Sequence, residues 1–174
     1  MIGGGDWAVD RIVPDCIRAL SINEPIVIRN KVATRPWQHV LEPLSGYLWL
    51  GSQLSKGDTQ PPTLASGFNF GPALSSNRSV ADLVNEIIKH WPGQIDYQIN
   101  PNAVHEAKLL NLSIDKAKHY INWCPVWTFE RTIAETVGWY LRNQQNGQQG
   151  SVAAVAQIDS YTSDAKIMNL AWSL

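Results

Sequence analysis

Ser79-Val80-Ala81-Asp82-Leu83-Val84-Asn85-Glu86-Ile87-Ile88-Lys89-His90-Trp91, with Ile95-Asp96-Tyr97-Gln98-Ile99 just beyond it, is the stretch from which the fold class is read. Ser79 is a helix-capping residue with an acid, Asp82, three positions on, and Val80, Leu83, Val84, Ile87, Ile88 and Trp91 fall on one face at helical spacing. The period then drops to two: Ile95, Tyr97 and Ile99 alternate with Asp96 and Gln98, the pattern of a strand. A helix followed directly by a strand points to mixed α/β architecture.

Upstream, Ile12, Val13, Cys16, Ile17 and Leu20 repeat at helical spacing, and Pro14 is tolerated in a first turn, which predicts a helix over 10–21. Ile26-Val27-Ile28-Arg29 reads as a short strand and 34–40 as a second extended stretch. Leu41, Leu44 and Leu48 predict a helix over 41–56, after which Lys56 to Gly67 is a polar loop and Gly67-Phe68-Asn69-Phe70 alternates like a strand. Downstream, Ser113 can cap a short helix reaching Ile121, and Phe129, Ile133, Val137, Tyr140 and Leu141 mark a helix over 128–144. The run from Gln144 to Ser151 is polar and reads as a linker, so the chain divides into a folded segment, 1–145, and a polar linker and tail, 146–174. Only about four short strands can be counted, and several lack a neighbour: the sheet is expected to be incomplete.

The 174 residues suffice for one core. Apolar residues make up 44% and charged ones 17%, too hydrophobic a mix for a disordered chain. Fourteen Lys and Arg balance fifteen Asp and Glu, so no broad field draws a phosphate polymer or an anionic membrane surface, and neither nucleic acid nor membrane is an expected partner. Cys16 and Cys124 are too few and too far apart for a disulfide scaffold or a zinc knuckle; with no signal-peptide pattern at the first residues, a reducing cytosol fits best.

Four histidines, His39, His90, His105 and His119, never stand four apart on a helix as a zinc hydrolase requires, and no metal is expected. Gly3-Gly4-Gly5 could cradle a phosphate through close-approaching N–H groups, but no dinucleotide-type spacing follows a strand; a plain turn competes with that reading. Arg35, at the start of an extended stretch, carries a planar guanidinium able to grip a pyrophosphate bidentately, or a surface salt bridge. Arg11 and Arg29 gain weight only if they converge on it.

Ile2-Gly3-Gly4-Gly5-Asp6-Trp7-Ala8, Asp10-Arg11-Ile12-Val13-Pro14-Asp15, Pro25-Ile26-Val27-Ile28-Arg29-Asn30 and Arg35-Pro36-Trp37-Gln38-His39-Val40-Leu41-Glu42-Pro43-Leu44 occur in an order that resembles the CDP-glucose 4,6-dehydratases. The resemblance continues through Phe68–Pro72, His105-Glu106-Ala107, Leu110-Asn111-Leu112, Lys116-Ala117, Trp123-Cys124-Pro125 and Thr136–Tyr140, and thins out in the tail. These are extended short-chain dehydrogenases in which an N-terminal Rossmann domain binds NAD and a smaller C-terminal domain binds the nucleotide sugar. The resemblance covers the C-terminal part only. It implies an incomplete Rossmann sheet, CDP-glucose as ligand and NAD as the cofactor of the full-length enzyme.

It also implies contacts from Arg11 to the nucleotide, from Ile26, Ile28 and Arg29 along the cytosine, from Arg35 to the pyrophosphate, and a weaker one from His105 to phosphate or ribose. No catalytic or cofactor-binding residue is expected in this chain: four residues after Tyr47, Tyr97, Tyr120, Tyr140 and Tyr161 stand Gly51, Pro101, Cys124, Gln144 and Ala165, none a lysine. The isolated chain is therefore expected to be inactive and to leave Leu44, Leu48, Phe68 and Phe70 exposed where a missing Rossmann half would pack. A homo-oligomer is compatible with the family. Another nucleotide-sugar dehydratase or epimerase, or a vestigial binding module without catalysis, are the competing readings.

Overall fold

The computed structural model describes residues 1–57, 62–98, 110–146 and 150–174. Helix α1 (Ile12–Ser21) turns Val13, Cys16, Ile17 and Leu20 into the core. Its end is set by Asn23 at φ 57°: the N–H groups of Asn23 and Glu24 turn back to Leu20 O and Ala19 O, satisfying carbonyls the helix leaves open. Strand β1 (Ile26–Ile28) follows, then β2 (Thr34–Pro36) and α2 (Leu41–Leu54). Beyond two single-turn helical segments come β3 (Asn77–Ser79), α3 (Val80–His90), β4 (Ile95–Tyr97), α4 (Asp115–Ile121), α5 (Phe129–Asn146) and α6 (Gly150–Ile167).

Among the described residues the strands form two small sheets. Strand β1 pairs in parallel with β4, Ile26 beside Ile95, and β2 pairs antiparallel with β3, Arg35 beside Arg78. A further parallel bridge joins Ile2 to His39: Ile2 N–H donates to Gln38 O and Val40 N–H to Ile2 O, both at 2.9 Å. Helix α3 begins as its sequence predicts, with Asp82 N–H on Ser79 Oγ at 3.1 Å and Ser79 N–H on Asp82 Oδ2 at 3.0 Å.

The main core joins α1, α3, α5, β1 and Trp37; a second, aromatic core gathers Leu64, Phe70, Ala117, Ile121 and Trp123 beside α2. Gly46 makes the second core possible, because a Cβ there would lie 2.3 Å from the Phe70 ring. Among the described residues no helix is long and apolar enough to cross a membrane.

Three expectations are corrected. The 67–70 segment makes no strand: Phe70 is buried and packs edge-on against Trp123, so its alternation serves ring packing, while pairing with β2 falls to Asn77–Ser79. Leu44 and Leu48 are exposed, but Phe70 is not, since Gly46 admits its ring. The polar tail is in large part an 18-residue helix, α6, packed on α5 through Ala153, Gln157, Tyr161 and Ala165. Every fourth residue is buried, but two are alanines and one is glutamine, so no apolar stripe marks the face.

Candidate functional site

The N-terminal turn, the start of α1 and strand β2 enclose a cavity of about 690 Å³. The glycine run forms one wall for steric reasons. A Cβ on Gly4 would sit 2.1 Å from the Trp139 ring, and Gly5 holds φ at +83°, so these glycines make a tight turn over α5. The Tyr140 hydroxyl ties the turn down by donating to Asp6 O at 2.6 Å.

Asp6 and Arg11 face each other across the mouth, Arg11 Nη1 donating to Asp6 Oδ2 at 3.1 Å. The Ala8 N–H and the Arg11 guanidinium hold the Asp6 carboxyl below its ordinary range. Behind them Arg18 donates to Trp7 O at 3.0 Å and Ala8 O at 3.3 Å and pairs with Asp15, anchoring the turn to α1.

A second cavity of about 370 Å³ adjoins the first, and Ile12, Arg35 and Trp37 line both. Arg35 is half-buried, with Nη1 donating to Thr34 O at 2.9 Å; Trp37, 8% exposed, is fixed by donation from Nε1 to Arg78 O at 2.8 Å. Across the strand pair Arg78 stands beside Arg35, but its guanidinium lies over the Phe129 ring and it lines neither cavity. The second cavity takes in Arg29 and Asn30 after β1, Val27 and Ile28 from it, and the carboxylates Asp10 and Asp15. A planar cation shared by two adjoining cavities can hold an anion whose two substituents occupy one each.

A different polar cluster lies sealed inside. Glu42, 1% exposed, accepts N–H bonds from Trp127 at 2.7 Å and Val126 at 2.9 Å, and the Tyr161 hydroxyl donates to it at 2.8 Å. Ser45 Oγ lies 3.0 Å from that hydroxyl and accepts from Trp123 Nε1 at 3.0 Å. Burial raises the Glu42 pKa against the pull of these donors. His39 is equally buried, which lowers its pKa to about 4, and its Nδ1 accepts from Leu41 N–H at 3.3 Å. Among the described residues no three His, Cys, Asp or Glu side chains come together as metal ligands would.

No family model matches the chain. Over 164 residues, 94% of its length, it is 35% identical to the CDP-glucose 4,6-dehydratase of Salmonella typhimurium. The chain is homologous to CDP-glucose 4,6-dehydratase. It spans 45% of that dehydratase's length.

Solved structures share its fold. A UDP-glucuronic acid 4-epimerase variant from Bacillus cereus superposes with a TM-score of 0.66 at 13% identity, over 82% of this chain and 43% of the epimerase. The dTDP-glucose 4,6-dehydratase of Bacillus anthracis, in complex with NAD, gives 0.64 at 20% identity, over 82% and 43%. The fold thus corresponds to about 43% of each of these two enzymes.

Of the residues singled out in the sequence, Arg11 lines the first cavity, Ile28 and Arg29 the second, and Arg35 both. Ile26 lines neither: β1 turns it into the core at 1% exposure, and its neighbour Val27 faces outward. The Ile26 side chain therefore packs in the core and does not reach either cavity. His105 lies outside the described residues. Asp6, Arg18 and Trp37 were not singled out; for Trp37 the signal was its place two residues beyond Arg35 in extended chain, which puts both on one face.

Proposed function

We propose that this chain is the nucleotide-sugar-binding, C-terminal part of a CDP-glucose 4,6-dehydratase, a cytoplasmic NAD-dependent lyase that forms CDP-4-keto-6-deoxyglucose. The observation that carries the reading is the position of Arg35 at the junction of two cavities. A diphosphate held there bidentately would place the base in the smaller cavity along β1 and the sugar in the larger one, with Arg11 at its mouth. Homology over 94% of the chain supports the choice of CDP-glucose.

NAD is the cofactor this family implies, and the residues present do not fit it. The glycine run is closed by Trp139 at the position of a Gly4 Cβ, and no tyrosine is followed four residues later by lysine. Hydride transfer therefore belongs to a polypeptide matching the remainder of the dehydratase's length. The exposed Leu44, Tyr47 and Leu48 of α2 form the apolar surface on which that polypeptide would pack.

Calorimetric titration of the purified chain with CDP and with NAD tests the reading. CDP binding without NAD binding is expected, and so is the absence of 4-keto-6-deoxy product from CDP-glucose. Adding the matching N-terminal part in trans should raise the thermal midpoint and, with NAD, produce turnover. Turnover by this chain alone, or failure to bind CDP, would overturn the proposal.

A further inference from the structure

We infer that the chain carries a second ligand site, apart from both cavities at Arg35: a small pocket between α1 and α5, walled by the Trp7 indole, that takes one neutral pyranose ring. It stands or falls independently of the nucleotide-binding reading above.

The pocket has a volume of about 160 Å³ and is lined by Trp7, Ile17, Ser21, Tyr140, Asn143 and Gln144, none of which lines either larger cavity. Helical spacing explains its composition. Ser21 stands one turn beyond Ile17 on α1, and Asn143 and Gln144 stand one turn beyond Tyr140 on α5, so each helix contributes an apolar residue and then polar ones on the same face. Ile17 and Tyr140 are 1% and 2% exposed and form the floor, whereas Ser21 and Gln144 are exposed and stand at the rim.

Trp7 makes the wall. Its carbonyl accepts from Arg18 Nη1 at 3.0 Å, and the Asp6 carbonyl just before it accepts from the Tyr140 hydroxyl at 2.6 Å, so the backbone there is held from both helices. The indole meets the Tyr140 ring edge-on, with centroids 5.1 Å apart and planes 80° from parallel, yet stays 52% exposed. A large aromatic fixed in place with half its surface in water is a preformed apolar face for a ligand.

Size, charge and polar groups narrow what that ligand is. A cavity of roughly 150 Å³ admits a single six-membered ring. No charged side chain lines the pocket, and the nearby Arg18 guanidinium is taken up by Trp7 O, Ala8 O and Asp15, so a phosphate or carboxylate finds no counter-charge. Two aromatic rings at right angles make a corner, and a flat base cannot stack on both. Among the described residues the carboxamides of Asn143 and Gln144 and the Trp7 Nε1–H have no hydrogen-bond partner. Each carboxamide both donates and accepts, as do hydroxyls on neighbouring carbons of a sugar ring. The C–H face of a pyranose is apolar enough to lie on the indole while its edge reaches those amides.

The test uses the full chain labelled with nitrogen-15 at its eight indoles, with Trp7→Phe identifying the Trp7 resonance. D-glucose is the probe. The Trp7 indole N–H is expected to shift saturably at millimolar glucose, while those of Trp49 and Trp123 in the aromatic core stay in place. Saturating CDP should leave the titration unchanged. In Asn143→Ala/Gln144→Ala the affinity should fall about tenfold, as the loss of two neutral hydrogen bonds implies, with the thermal midpoint unmoved.

Absence of any Trp7 shift with glucose would overturn the inference. So would phenol, a flat ring with one hydroxyl, binding as tightly as glucose, since the polar rim would then select nothing. Competition by CDP, or full affinity in the double variant, would place the sugar elsewhere and overturn the assignment to this pocket. None of these outcomes touches the nucleotide-binding reading, which is tested by CDP binding itself.

Discussion

The cleft at Arg35 and the knot at Glu42 are built from one short stretch, residues 35–42, and use charge in opposite ways. Arg35 is half-buried between two cavities, and the charges near it, Arg11, Asp10 and Asp15, stand where solvent or a ligand can reach them. Glu42 is sealed, and its carboxylate is satisfied by two backbone N–H groups of the 122–128 segment and by a hydroxyl from α6. A charge that keeps a water-accessible side can exchange partners and so bind. One whose partners are all protein can only hold architecture, at the cost of being removed from water. Between them β2 ends and α2 begins, so the change from an accessible charge to a sealed one takes place within a few residues.

The sharpest way to break this contrast is to cut the knot. Glu42→Ala strands the buried Trp127 N–H and the half-buried Val126 N–H and removes a partner of the Tyr161 hydroxyl, and at ~1–3 kcal/mol for each stranded donor should cost about 3 kcal/mol. Urea unfolding followed by far-UV circular dichroism will show whether the chain still folds, and a loss below about 1 kcal/mol would mean the knot is not structural.

Next in size is a pH effect from the same sealed region. His39 titrates near 4 in the folded chain and near its ordinary 6.5 when unfolded, so between those values the unfolded state binds more protons. Stability should therefore fall as pH drops from about 6.5 to about 4, by roughly 3 kcal/mol if His39 acted alone. Glu42, whose pKa is raised, works in the opposite sense: its contribution is present at low pH and is lost as pH rises through its folded value. Urea midpoints across pH 4–7 should lose the acid-side slope attributable to His39 in His39→Gln. An unchanged slope would refute the assignment.

On the open side the effect should appear in binding, with folding untouched. Arg35→Ala is expected to weaken CDP by about 1.5–3 kcal/mol and cytidine far less, since the nucleoside carries no phosphate for a charge-assisted bond. The thermal midpoint should barely move. Equal losses for both ligands would make Arg35 a structural residue and erase the contrast with Glu42.

The smallest effect is expected at Arg11. Its side chain is 66% exposed and paired with Asp6, so Arg11→Ala should reduce CDP affinity in the same direction as Arg35→Ala but by less. A loss exceeding that of Arg35→Ala, in parallel titrations, would move the anion site to the mouth of the larger cavity.

What the sequence determined by itself lies where local forces suffice. The faces of α1 and α5 and the Ser79–Asp82 capping box are set within a few turns of chain, so spacing alone located them. Arg11, Arg29 and Arg35 could be named as candidates because their chemistry stands out in short motifs. Their arrangement could not, since it depends on how β1, β2 and the start of α1 come together around two cavities.

Tertiary structure alone decided the rest. It turned Ile26 inward, left the 67–70 segment outside any strand while β2 pairs with Asn77–Ser79, and made a packed helix of the expected tail. Helix α6 buries an Ala153-Gln157-Tyr161-Ala165 row because α5, Glu42 and Ser45 offer a surface for small and polar groups, and leaves Val152, Val155 and Ile158 exposed. Hydrophobic periodicity reports a helix face only when that face meets an apolar neighbour. Here the groups it meets are in part polar: Glu135 of α5 takes Gln157, and Glu42, more than a hundred residues away, takes Tyr161, so no apolar stripe marks the face.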